Sequence, residues 1–510
     1  MESTSRVGLV VLGLALVLGM CGDALLRVTP WGYNIAIWCT LIAVAMAIAF
    51  TRLHRNVGRD VAWLLLPFLA FAVALAVRDS PSLRALNLVG ILVVCAMAMG
   101  RVQGGKVRIG SVRDYTMELV WTWLTAIGEV HNLFGKDIAW RELGGERRRA
   151  KVAAVGLGLA AAVPVLIVFG ALLVSADDVF RSYVSRLCAW DVNSVCTSIA
   201  LIPIFSWLCA ALLRRMLIGT AAPAPRDVLS DDRRVGITEV GIVLGSLDLM
   251  FLAFVVVQFK WFFGGDALVR SPIPLTYSQY AHHGVFELVT VCALALMLLL
   301  GAHWLVRQDS SAAIIVFRSL AATMVAMLFV IAASAWQRIV IYIDAYGLSV
   351  PRFWVAALIV WLAVVFLWFA ATVLRGKADR FAFGAVASAL LIVLSADIAN
   401  PEACIVRVNI RQENRRFDAA YAAGLSADAI PELVADLPKL SAEHRGEVAA
   451  RLILSHPASS QADFRTMNMS TGFAVDVLER DRARLSAWAA PYLDKIKGDT
   501  TAEDTGTGDE

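Results

Sequence analysis

Residues 336–352 read WQRIVIYIDAYGLSVPR and hold Arg338, Tyr342, Asp344, Tyr346 and Arg352 between two of the most apolar runs of the chain. Two guanidinium groups at that spacing can grip a phosphate or carboxylate, because each offers a planar fork of N–H donors. The plain structural alternative is an ion pair with Asp344, or with Asp177 and Asp178. On a helix Arg338 and Tyr342 share a face, as do Tyr342 and Tyr346. Gly347 permits a turn, Ser349 is placed to cap the next helix, and Pro351 fits its first turn.

Further polar groups stand at the ends of other apolar runs. Asp177 and Asp178, in the stretch SADDVF, offer two carboxylates that hold a cation or share a proton; the alternative is a solvated helix end. The stretches QFKWFFGGD (258–266) and TYSQYAHH (276–283) supply Gln258, Lys260 and Tyr280, and most of their aromatics suit an interfacial belt. His283 and Glu287 lie one helical turn apart, a spacing that binds metal, but no third ligand is evident, so no metal is assigned. Asp248 and Glu287 are the deeper acidic residues of their runs. Their readings are proton or cation coupling, or an interhelical hydrogen bond that fixes packing. Both are expected to turn inward, away from lipid.

These residues must be held by membrane-spanning helices. The chain has 510 residues, is 59% hydrophobic and only 17% charged, with a mean hydropathy of +0.69. A water-soluble chain of this length would form about three or four domains; here apolar runs long enough to span a bilayer follow one another instead. They cover residues 7–26, 31–50, 61–77, 85–100, 152–174, 192–213, 240–263, 284–306, 312–336, 353–374 and 381–398, about eleven in all. The first could pass for a signal peptide, but no A-x-A-like cleavage site follows it. The expected fold class is therefore all-α: a polytopic transmembrane bundle with a small helical extramembrane domain.

Loop charge sets the orientation. One set of loops holds 22 Lys and Arg residues and the alternate set nine. By the positive-inside rule the first set, and the N-terminus with it, is cytoplasmic. The odd span count then puts the C-terminus outside. Asp177, Asp178, Gln258, Lys260, Tyr280, Arg338 to Arg352 and residues 397–400 all fall on that outer face, as one candidate polar cluster. Within the basic loop, Met117 to Lys136 carries Val120, Trp121, Leu124, Ile127, His131 and Leu133 near helical spacing, as an amphipathic helix at the inner interface would.

Residues 1–151 thus comprise four spans and a basic loop, 152–399 the remaining spans, 400–499 a helical extracytoplasmic domain, and 500–510 an acidic, disordered tail. Helix starts are expected at Asn400-Pro401-Glu402, Ser426 and Ser441. The eight cysteines are scattered without a C-x-x-C pair; most lie inside apolar runs as small hydrophobes, and Cys188 and Cys196 are read as unpaired. There is no G-x-x-x-x-G-K-S/T, no G-x-G-x-x-G before a helix, no H-E-x-x-H and no G-x-S-x-G. No cofactor, no catalytic residue and no nucleic-acid partner is assigned.

On several of these stretches the chain resembles a bacterial membrane family, domain of unknown function 4173, with a looser likeness to its relative 4153. The matching pieces are residues 175–180, the QFKWFFGGD run, residues 276–280 and 284–288, residues 342–352, residues 400–411 and residues 425–431. Phe259-Lys260-Trp261 departs mildly from the Leu-Arg/Lys-Tyr/Trp pattern of that family. The resemblance implies an integral membrane protein and supplies no activity.

Three roles fit: a transporter or channel-like protein for a small solute, ion or lipid; an envelope regulator or scaffold whose C-terminal domain binds a protein; and a membrane-embedded enzyme on a lipid-linked substrate. The bilayer is the partner common to all three. Topology reporters fused after Arg149 should give a cytoplasmic signal; an extracytoplasmic one would overturn the orientation.

Overall fold

The structure, a computed structural model, describes residues 2–53, 58–101, 107–138, 192–218, 235–263, 277–306, 311–411, 417–456 and 463–496. The helices of the apolar part are α1 (Glu2–Leu26), α2 (Tyr33–Arg52), α3 (Arg59–Ala62), α4 (Leu65–Val77), α5 (Pro81–Arg101), α6 (Val112–Asn132), α7 (Val192–Leu217), α8 (Ile237–Phe263), α9 (Tyr277–Leu305), α10 (Ser311–Tyr346), α11 (Val350–Thr372) and α12 (Phe381–Ala399). The described residues contain no strand; one isolated bridge pairs Val235 with Val306.

Ten of these elements, counting α3–α4 as one and leaving out α6, are long and apolar enough to cross a membrane. They coincide with ten of the eleven expected spans; residues 152–174 lie outside the described residues. Contacts sort the helix ends onto two sides. On one, the Gly110 amide donates to the Asp379 carbonyl at 2.7 Å, and Arg214 pairs with Asp137 and Glu129. On the other, Arg27 pairs with Asp23 and donates to Ser194 and Ser198 at the start of α7. Ile138 therefore lies on the first side and Val192 on the second.

The span expected at 312–336 continues as a helix to Tyr346. At 1.5 Å per residue its 36 residues make roughly 54 Å, against about 30 Å of hydrocarbon. No breaker interrupts residues 336–346, and the helix stops only where Gly347 turns at φ +78°.

The apolar helices pack as two groups. In one, α1, α2, α4, α5 and α7 surround Phe68, Phe71, Leu75 and Leu213; in the other, α8 to α11 surround Leu244, Leu299, Met324, Leu328 and Phe366. The helix α12 is the seam: Phe381 and Ala385 face the second group, and Ala382, Phe383 and Leu390 the first.

The helix α6 opens with a reciprocal cap in which Ser111 accepts from the Asp114 amide and Asp114 from the Ser111 amide. Its Met117, Val120 and Leu124, at helical spacing, stay exposed, as a helix lying in a membrane interface would leave them. The opposite side sends Glu129 inward to Arg214 and Arg215.

Past α12 lie α13 (Pro401–Arg411), α14 (Ala419–Ala423), α15 (Ile430–Asp436), α16 (Ala442–Ser455) and α17 (Met469–Ala489), closed around Leu433, Leu437, Leu452 and Leu485. The expected starts at Asn400 and Ser441 are present: the Asn400 side chain accepts from the Ala403 amide, and that of Ser441 from the His444 amide. The start expected at Ser426 is displaced to Ile430. Residues 426–429 make a turn instead, because Asp428 is committed elsewhere.

Asp428, 3% exposed, is the centre of the contact between this C-terminal part and the spans. One carboxylate oxygen accepts from the Asp79 and Ser80 amides at 2.9 and 2.7 Å; the other accepts from the Ser470 hydroxyl and lies 3.5 Å from Arg78. Asp79 in turn accepts from Asn468 and the Ala427 amide and pairs with Arg84. Nearby the Tyr33 amide donates to the Met467 carbonyl, and the Gly32 α-carbon approaches so closely that a Cβ would fall 2.2 Å from that carbonyl oxygen. The second helix group is held too: the Asn409 side chain bonds both backbone groups of Leu348, and the Val350 amide donates to the Tyr421 hydroxyl. Burial pushes the Tyr421 phenol up, so it stays protonated there. Asp428→Ala should lower stability by about 3–5 kcal/mol, because it strands Arg78 and two amides at a buried contact. Asp428→Asn, which keeps an acceptor, should cost less. Limited proteolysis of the purified full chain reads this as earlier release of a C-terminal fragment from Asp428→Ala.

Candidate functional site

The end of α10 and the start of α11 bring together some of the residues singled out above. Arg352 lies over the Tyr342 ring, 4.2 Å from its centroid, and donates to the Tyr346 and Gly347 carbonyls at 3.0 and 2.5 Å. Those carbonyls close α10, so the guanidinium caps the negative end of a long helix. Tyr342 and Tyr346 stack edge to face at 5.2 Å, as their shared face requires. Arg338 is half-buried one turn earlier, and Asp344 is exposed. Ser349 occupies the N-cap position of α11 without a side-chain bond, and Pro351 sits in the first turn. Arg352 thus serves the turn rather than Asp344.

The rest of the cluster is only partly described. Asp177 and Asp178 lie outside the described residues. Gln258 and Lys260 stand in the last turns of α8, and Tyr280 and His283 in the first turns of α9, but their side chains are outside the described set. Residues 338–352 and 397–400 share the end of the bundle that carries the C-terminal helices.

The two intramembrane carboxylates differ in place. Asp248 lies near the middle of α8 and is 8% exposed. It faces α10 across a cavity of about 490 Å³, lined also by Gly245, Leu252, Leu320, Thr323 and Met327. Both of its carboxylate oxygens are buried without a hydrogen-bond partner among the described residues. Glu287, expected to turn inward, is exposed instead. The buried stripe of α9 runs through Val285, Leu288, Cys292, Ala295 and Leu299 and leaves residue 287 off it. The apolar run of the sequence begins just after His282 and His283, so Glu287 stands near its start rather than at depth.

Several other charged groups inside the spans have partners within the fold. Asn87 donates to Asp397 at 3.0 Å, Asp23 accepts from Arg27 and Ser198, and Arg214 is shared between Glu129 and Asp137. Among the described residues no three His, Cys, Asp or Glu side chains converge as metal ligands. The sequence reading passed over Arg318, seven residues inside α10, and His303 near the end of α9. These two line one small cavity. The available signal was a lone Arg within an apolar run, which membrane energetics singles out by default.

A family model described as "Domain of unknown function (DUF4153)" matches residues 64–435. No curated protein and no solved structure matches the chain. The looser of the two likenesses is thus the one carried by a full family model, and it takes in α4 to α12 and the docking turn at Asp428. Because the match covers well over half of the chain, this protein belongs to the domain of unknown function 4153 family.

Proposed function

We propose that this multi-pass protein is a transporter or channel-like protein for a small solute, ion or lipid, and that Asp248 is its coupling residue. The observation that carries this reading is the pair of buried carboxylate oxygens at mid-span beside a cavity, without a partner among the described residues. An ionised carboxylate at that depth costs roughly 2.5–3.5 kcal/mol on insertion scales. A packing role would compensate that cost with an interhelical hydrogen bond, yet Thr323 lines the cavity without bonding Asp248. A proton or cation taken from the cavity would neutralise the charge, and its exchange would couple the site to a gradient.

The 22-to-nine split of basic loop residues supports an orientation with the N-terminus inside a bacterial cytoplasmic membrane and the C-terminal helices outside. In this reading residues 338–352 with Asp177, Asp178, Gln258, Lys260 and Tyr280 border the outer mouth. The scaffold reading draws on one observation, the exposed Phe464, Met469 and Phe473 on the C-terminal helices and the loop before α17, which would suit a protein partner.

The test is complementation of a deletion strain, read by untargeted metabolite and lipid profiling. Asp248→Asn should leave membrane abundance unchanged and fail to restore the profile, whereas Asp248→Glu should restore it in part. Full restoration by Asp248→Asn would overturn the coupling role.

A further inference from the structure

At the basic end of the second helix group, Arg318 enters a cavity of about 120 Å³ bounded by His303, Phe317, Val373 and Gly376. Among the described residues Arg318 has no hydrogen bond or ion pair. The carbonyls that close α11 beside it are already used: Thr372 accepts from the Arg375 and Lys377 amides, and Val373 from the Gly376 amide. Gly376, at φ +75°, lets the backbone come so near that a Cβ would lie 2.8 Å from a terminal nitrogen of Arg318. The Nδ1 atom of His303 is buried and has no hydrogen-bond partner among those residues either.

This cavity meets a second one of about 610 Å³, since His303, Val306, Val373 and Ala378 line both. The larger space has two kinds of wall. Leu300, Gly301 and the exposed Trp304 of α9 make it apolar, while Ser111, Arg113 and Asp114 of α6 make it polar. Arg375, Lys377 and Arg380 flank it in the turn between α11 and α12; Asp114 and Asp379 are the acidic groups present, and Asp114 is engaged in its own helix cap. Arg318 stands about 10 Å along α10 from its start, at the depth of a lipid headgroup and glycerol rather than of the hydrocarbon centre.

We infer that Arg318 and His303 form a site for the phosphate of an anionic phospholipid of the leaflet at the basic end, with its acyl chain along Leu300 and Trp304. A guanidinium that is half-buried and unpaired is matched by a phosphodiester, which offers acceptor oxygens in the geometry of its fork. Basic pockets between spans on the cytoplasmic side are suited to such headgroups. The apolar wall favours a lipid over free phosphate, which has nothing to place there. This site is separate from the Asp248 cavity and does not depend on the transport reading.

The test uses the purified, delipidated full chain and native mass spectrometry in micelles doped with phosphatidylglycerol, phosphatidylcholine or inorganic phosphate. The wild type should retain phosphatidylglycerol over phosphatidylcholine, and Arg318→Gln should lower that retention at least tenfold. Arg52→Gln, an exposed charge at the same end of the other helix group, should leave it unchanged. If Arg318→Gln does not purify as a monodisperse protein, Ala378→Phe carries the test, because its ring would fill the space while the charge stays. Equal retention by the wild type and the purified variant would overturn the site. Retention of inorganic phosphate alone, lost in the variant, would keep the anion site and overturn lipid as its source.

Discussion

Ionic and hydrogen-bonding groups beside hydrocarbon must find partners inside the protein, and that constraint organises this structure. The chain meets it locally. Asp23 is matched by Arg27 and Ser198, Arg214 by Glu129 and Asp137, and Asp397 by Asn87. At the other extreme of scale the same rule fixes the C-terminal helices, because Asp428 answers two backbone amides, a hydroxyl and an arginine at once. Against that pattern Asp248 and Arg318 stand out as ionisable side chains inside apolar helices with no partner among the described residues. Ionisable groups left open beside cavities are where a local rule is broken, and such positions are the candidates for binding.

The C-terminal helices touch both helix groups at one end: Gly32, Asp79 and Ser80 in the first, Leu348 and Val350 in the second. The groups otherwise meet largely through α12. A change in their relative position would therefore have to work around the contact at Asp428 or break it. The open cavities at Asp248 and Arg318 both lie in the second group, away from that clamp.

Much of this was legible in the sequence, for reasons that are local. Ten spans follow from length and apolarity alone. The turn at Gly347 follows from its freedom at positive φ, and the starts at Asn400 and Ser441 from their capping side chains. Features set by tertiary contacts were not legible. Ser426 has the composition of a helix start, but Asp428 two residues on is bound to another part of the chain, and the start moves to Ile430. Glu287 falls outside the buried stripe of α9, which periodicity could have shown only if the stripe's direction were known. Arg352 could be read as an anion grip because nothing local reveals that the carbonyls ending α10 come within its reach. Arg318 was visible as a charge in an apolar run, but the missing partner that gives it meaning is a fact of packing.

Coupling at Asp248 requires that an aqueous ligand or proton reach the cavity beside it, and thiol accessibility at position 323 tests this most directly. In a background with the native cysteines replaced, Thr323→Cys should react with a small membrane-impermeant thiol reagent added to intact membranes, and Asp248→Asn should change the rate. Reaction only with lipid-soluble reagents, at a rate indifferent to residue 248, would show a groove that faces acyl chains and would contradict the account.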